Sequence, residues 1–203
     1  MMAPTQAPTF SFIVPTLARP SLARALQSLD TQPLDPGDEI VVVGAYEAAP
    51  VALAAGARFV PHPPAGDDGY TERAFGMAHA VSTHLAFLDD DDEYLPGAVA
   101  AMRAQIAAAP DRPHLFRMIA PWGETLWRRL GVYRRGDFGG AQFVTPNDPA
   151  RLGTYSRAYE ADYDFIMSTL ELYPPGALVW SETVTYRCAP GVGRDVQLRE
   201  ARG

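Results

Sequence analysis

The chain has 203 residues, 47% hydrophobic and 20% charged, which suits one globular domain with a full core. Its single cysteine, Cys188, excludes an internal disulfide, and no apolar run is long enough to cross a bilayer. A net charge of −7, with every basic residue an arginine, argues against broad nonspecific binding of nucleic acid, although a local arginine patch would override it.

The start, MMAPTQAPTF, lacks the basic and then apolar pattern of an export signal, so a cytoplasmic setting is expected. TFSFIVPTL predicts a buried strand, Phe10 to Val14, closed by Pro15. RPSLARALQSLDTQ predicts a helix with Pro20 in its first turn and Leu22, Ala25, Leu26 and Leu29 on one apolar face. DEIVVVGA predicts a second strand, Glu39 to Gly44, and ARFVPHPP a short third one ended by prolines. YTERAFGMAHAVST reads as a helix from Tyr70 to Ser82, HLAFL as the fourth strand, and LPGAVAAMRAQIAAA as the helix after it. Continuous apolar strands alternating with helices predict a parallel sheet covered on both faces.

The second half has a different grain. HLFRMIA, ETLWRRL and AQFVT are short apolar runs punctuated by Gly and Pro, which suggests antiparallel strands of a mixed sheet. AYEADYDFIMSTLELY predicts a helix and ALVWSETVTYRC a closing strand or hairpin arm. The Gly- and Arg-rich tail, 191–203, is expected to be mobile. The histidines His62, His79, His84 and His114 form no paired zinc motif.

One stretch needs a chemical reason. After the fourth strand come Asp89, Asp90, Asp91, Asp92 and Glu93. Neighbouring carboxylates repel by roughly 1 kcal/mol per pair at ~4 Å even in bulk water. In open α/β sheets, ligands bind at the carboxyl ends of the parallel strands, where this run sits. In an extended chain Asp89 and Asp91 point the same way, and two oxygen ligands on one side suit Mg2+ or Mn2+. The alternative is a solvated acidic turn favoured by the dipole of the next helix, a role expected for Asp92 or Glu93.

FSFIVPTLARPSLARALQSL, then EIVVVG, then HLAFLDDDDEYLPGAV resembles the nucleotide-diphospho-sugar half of a GT-A glycosyltransferase of the family 2 type. The resemblance covers Phe10 to about Met102, with weaker echoes to Tyr186. It implies a Rossmann-like α/β fold in a single domain, 1–203. A nucleotide-sugar half would occupy about 8–110 and an acceptor half about 111–190. It places Pro15, Thr16 and Arg19 at the nucleotide, with Glu47 the acid available after the second strand. Asp89 would lie on the ribose or base side with Asp90 beside it, and Asp91 would ligate the metal, Mn2+ or Mg2+. Arg73 falls where the family has an Ala-Arg-Asn helix facing the donor, with Ala74 in place of the Asn. No histidine follows His114 to act as a late metal ligand, and the Gln-x-x-Arg-Trp motif and membrane spans of processive synthases are absent.

The resemblance further implies transfer of a sugar, with inversion, from a nucleotide-diphosphate donor, a UDP-sugar being favoured, to a hydroxyl acceptor. The base would come from an acid at the start of the late helix. There Asp162 matches best and Asp164 is the alternative, both also explicable as acids favoured at a helix start. The segment LWRRLGVYRRGDFGGAQFV is a candidate acceptor surface, with Trp127, Arg134 and Arg135 as its contacts. A solvated hairpin with its aromatics in the core explains it equally. The acceptor is left open among a saccharide, a small metabolite, a protein hydroxyl and a hydroxymethylated base in DNA. A sugar-nucleotide nucleotidyltransferase would normally show a Gly-rich N-terminal loop that PTLARPS lacks. A noncatalytic nucleotide-sugar or metal-binding module is the third reading.

Overall fold

The computed structural model describes residues 7–156 and 160–189. Four strands make the parallel half: β1 (Phe10–Thr16), β2 (Glu39–Gly44), β3 (Arg58–Pro61) and β4 (His84–Phe87). They are joined through the helices α1 (Leu22–Asp30), α2 (Ala49–Ala54) and α3 (Tyr70–Met77). Then follow β5 (Glu93–Tyr94), α4 (Ala98–Ala108), β6 (His114–Ile119), β7 (Thr125–Leu126), β8 (Phe143–Pro146), α5 (Ala161–Leu170) and β9 (Val179–Arg187). The sheet order is β3-β2-β1-β4-β8-β6-β9-β5, with β7 paired to β6. No described helix is long and apolar enough to cross a membrane.

The parallel strands read as unbroken apolar runs because both faces are covered. Phe10, Phe12 and Val14 join Ala86 and Leu88 in one core cluster with α1 and α4. Ile13 joins Leu85 and Phe87 in the other, with Phe165 and Ile166 of α5. This is the period-two alternation of a strand, buried on each side. α3 lies so close to the sheet that a Cβ on Gly76 would come within 2.5 Å of Ile13 Cγ2 and 3.0 Å of Val43 Cγ2. Gly76→Ala is therefore expected to destabilise by about 1–3 kcal/mol. A fall of several degrees in the thermal midpoint would show it, and an unchanged midpoint would refute the tight contact.

Two expectations need adjusting. The α3 helix ends at Met77 rather than Ser82, because the chain tightens there: the His79 N–H reaches the Gly76 carbonyl at 3.0 Å and the Ala80 N–H the Met77 carbonyl at 3.2 Å. ETLWRRL is a strand only over Thr125–Leu126. The Gln142 side-chain amide takes the Leu126 carbonyl at 3.2 Å, and Arg128 folds back on Glu124 and Asp137. The closing strand β9 is present, parallel to β6 with register shifts between Leu115 and Met118 and antiparallel to β5. The tail 191–203 lies outside the described residues.

Candidate active site

The carboxyl ends of β1 and β4 meet through Asp90. Its Oδ2 accepts from the Thr16 hydroxyl at 2.7 Å and the Leu17 N–H at 3.0 Å, and its Oδ1 from Arg19 at 3.2 Å. Asp90 is thus used up in fixing the exit of β1, and Pro15 and Thr16 are buried framework beneath it. Arg19 also donates to Asp91 Oδ2 at 2.8 Å, and Arg24 donates to the Asp91 carbonyl at 2.6 Å. Glu47 stands exposed in a short turn after β2.

Asp89, Asp91 and Asp92 form the cluster. One carboxylate oxygen from each lies within 4.8 Å of the others. The chain leaves the extended form here, with the Asp92 N–H on the Asp89 carbonyl at 3.2 Å, and this turn adds Asp92 to the side that alternation assigned to Asp89 and Asp91. Asp92 is not a helix cap: its Oδ1 accepts from the Ala189 N–H at 2.9 Å, and the Cys188 thiol bonds the same carboxylate. Burial and then the Asp89 and Asp91 charges push Asp92 well above the usual carboxylate range. Burial, Asp89 and Asp90 raise Asp91, with Arg19 opposing. Three hard-oxygen donors whose charges repel fit a divalent cation such as Mn2+ or Mg2+.

These raised values carry a stability consequence. A folded aspartate held above its ordinary 3.8 retains a proton that the unfolded chain releases, so the metal-free fold is favoured at low pH and loses that advantage as pH rises through the raised value. Asp92→Asn is expected to raise the metal-free thermal midpoint at pH 7 by a few degrees and to flatten its pH dependence on the acidic side. Scanning calorimetry with a chelator tests this; a lower midpoint in the variant would contradict it.

Arg73 links the cluster to the late helix. It is 2% exposed, pairs through Nη2 with Asp89, and leaves Nε and Nη1 buried without partners. Its guanidinium lies 5.1 Å over the Tyr70 ring, and Tyr70 stacks on Tyr155 at 5.8 Å. Burial works against its charge, but Asp89 and then Asp162 outweigh it and hold it protonated. Asp162, in the first turn of α5, has Oδ1 buried without a hydrogen-bond partner. Burial raises its pKa, Arg73 opposes and Asp89 adds to the rise. Gly140 makes room for it: a Cβ there would stand 3.0 Å from Asp162 Oδ1. Asp164 faces elsewhere. Ser156 donates to it at 2.7 Å and Arg135 at 2.6 Å, and these bonds lower its pKa.

The remaining expected acceptor residues separate. Trp127 is 2% exposed and packs edge-on against Trp180 at 5.0 Å, so its ring is part of the core in this structure. Arg135 is engaged by Glu160 and Asp164, whereas Arg134 is exposed. Tyr70, Tyr155, Gly140 and Cys188 were not singled out for this site. Tyr70 alone had a usable signal, lying three residues before Arg73 on one helix face.

An acidic cluster at the end of β4, a buried arginine beside it and an acid at the head of a late helix all stand at one end of the sheet. The model for glycosyl transferase family 2 matches residues 11–157. The chain belongs to this family. No curated protein sequence matches it. Among solved structures, this family 2 chain is similar to S. aureus TarS, with a TM-score of 0.69 at 15% identity over 89% of this chain and 36% of that one. It is also similar to TarS 1–349 in complex with UDP-GlcNAc (TM-score 0.70, 15% identity, 93% and 60% covered). The complex of TarS 1–349 with UDP gives a TM-score of 0.68 at 16% identity, with 96% and 63% covered. These likenesses show the GT-A fold; the family 2 chain spans under two thirds of the length of each.

Proposed function

We propose that this chain is a metal-dependent, inverting glycosyltransferase that moves a sugar from a nucleoside-diphosphate donor, a UDP-sugar, to a hydroxyl acceptor. The observation that carries the reading is that Asp91 and Asp89 share one oxygen cluster, Asp89 pairs with the buried Arg73, and the charge of Arg73 acts on the buried acid Asp162. That TarS crystallises with UDP-GlcNAc and UDP supports the choice of donor.

Asp91, with Asp89 and Asp92, would hold Mn2+ or Mg2+, which when bound supplies charge to the departing diphosphate. Asp162 accepts the proton of the acceptor hydroxyl as its oxygen attacks the anomeric carbon. The bond from that carbon to the diphosphate oxygen breaks, and its electron pair leaves with the nucleotide. Arg73 and Arg19 balance the charge that develops there. Inversion rests on the resemblance to family 2. The acceptor is a saccharide or a hydroxymethylated base in DNA.

A panel of UDP-, GDP- and TDP-sugars, screened for thermal stabilisation and nucleotide release with and without Mn2+, tests this. Stabilisation by a UDP-sugar that requires Mn2+, with slow release of UDP, is expected. Indifference to every nucleotide sugar would sink the reading. Release of pyrophosphate from a nucleoside triphosphate and a sugar phosphate would favour a nucleotidyltransferase instead.

A further inference from the structure

Tyr155 joins the three elements that carry the charges of the site. Its ring stacks on Phe165 of α5, with centroids 4.4 Å apart and planes 9° from parallel, and on Tyr70 of α3 at 5.8 Å. It meets Phe87, the last residue of β4, edge-on at 6.4 Å. Each of these rings has a charged group on its own face of its own element. Tyr70 precedes Arg73 by one helical turn, and Phe165 follows Asp162 by the same step. Phe87 and Asp89 are alternate residues at the end of a strand. Tyr155 is therefore set among Arg73, Asp89 and Asp162. Burial raises the pKa of its hydroxyl, Asp162 adds to the rise, Arg73 opposes it and Asp89 adds again.

The segment that bears this ring is pinned to α5. The Gly153 N–H donates to the Thr169 hydroxyl at 3.0 Å, the Thr154 N–H to the Ser168 hydroxyl at 3.1 Å, and the Ser156 hydroxyl to Asp164 at 2.7 Å. A Cβ on Gly153 would fall 2.5 Å from the Thr169 nitrogen, so the strap lies directly on the helix backbone. Ring and strap are thus fixed without help from the Tyr155 hydroxyl. Tyr155 is partly exposed as a residue, but its hydroxyl oxygen is buried and has no hydrogen-bond partner among the described residues. The same holds for Arg73 Nε and Nη1 and for Asp162 Oδ1. Burying a polar group unpaired is unfavourable. A phenylalanine would make the same stack without that cost, so a tyrosine here calls for a reason outside the fold.

We propose that the Tyr155 hydroxyl and the unpaired N–H groups of Arg73 bind hydroxyl groups of the sugar being transferred. This rests on the reading of the chain as a nucleotide-sugar transferase with Asp162 as its base. In that reading the anomeric carbon lies between the diphosphate, at the Asp89, Asp91 and Asp92 end, and the acceptor oxygen beside Asp162. Arg73 pairs with Asp89 at the first end, and its charge acts on Asp162 at the second. Tyr155 packs against the elements that carry both. A sugar hydroxyl both donates and accepts, which suits guanidinium donors beside a phenol.

The test compares the full wild-type chain with Y155F in the presence of Mn2+. Titration calorimetry follows UDP, UDP-glucose, UDP-galactose and UDP-GlcNAc. UDP is expected to bind both proteins equally. The UDP-sugar that the wild type binds most tightly is expected to bind Y155F about tenfold more weakly, equivalent to about 1.4 kcal/mol. The unliganded thermal midpoint of Y155F should equal or exceed that of the wild type, because the variant loses an unpaired hydroxyl and keeps the stack. Weaker sugar binding without loss of stability marks a ligand contact, whereas a hydroxyl that serves the fold would lower the midpoint. Equal affinity of the two proteins for the UDP-sugar overturns the proposal and leaves the donor reading in place, as does a midpoint several degrees lower in Y155F. An equal loss for UDP and the UDP-sugar puts the effect on the nucleotide and also overturns it. A wild type that binds none of the UDP-sugars overturns the donor reading and this proposal with it.

Discussion

Asp162→Asn is expected to abolish sugar transfer while leaving UDP and Mn2+ binding near normal. Loss of a general base typically costs ~10²–10⁴ in rate. The substitution keeps the shape that Gly140 accommodates but removes the carboxylate proposed as proton acceptor. Asp164→Asn is expected to cost far less, because that carboxylate is already committed to Ser156 and Arg135 on the surface of α5. Single-turnover transfer, paired with donor titrations, separates the two. A dead Asp164→Asn enzyme beside an active Asp162→Asn one would move the base by two residues. The pH profile offers a further check. Burial lifts Asp162, with Arg73 opposing, so transfer should fall on acidification at a higher pH than an ordinary aspartate would give.

Asp91→Asn is expected to weaken Mn2+-dependent UDP binding on the order of 100-fold, equivalent to ~2.7 kcal/mol, with the fold intact. The carboxylate is partly exposed and is not the one that ties β1 to β4. Its removal takes one hard ligand from the cluster and leaves the Asp90 bonds untouched. Calorimetric titration of UDP with and without Mn2+ reads the effect, and circular dichroism confirms the fold. Unchanged Mn2+-dependent affinity would remove Asp91 from the metal site.

The parallel half was legible because its strands are continuous apolar runs, and Glu39–Gly44 has the predicted limits. The apolar face read for α1, Leu22, Ala25, Leu26 and Leu29, is the buried one. The location of the acidic run at the tip of β4 was legible for the same reason. How the run divides its work was not, since strand alternation says nothing of the turn that brings Asp92 round to Asp89. The second half was harder. β6 and β9 pair across 60-odd residues of chain, so their parallel sense is a tertiary outcome. Trp127 read as an acceptor platform because exposed and buried aromatics look alike in sequence, and only the packing of Trp180 against it places it. The pairing of Arg135 with Glu160 and Asp164 likewise lies beyond any local pattern.

The hydrogen bonds of Asp90 bear on how this protein can change over generations. Four identical residues in a row suggest a stretch that tolerates shuffling. Here the second aspartate serves the scaffold through Thr16 and Leu17, while the first, third and fourth face one another. Losing one aspartate would leave the composition almost untouched, yet it would bring Glu93 into the place of Asp92 and pull β5 one residue out of register with β9. Length, more than identity, is what inheritance must preserve at this point. A one-residue deletion within 89–92 should be less tolerated than a swap of Asp for Glu at either end of the run.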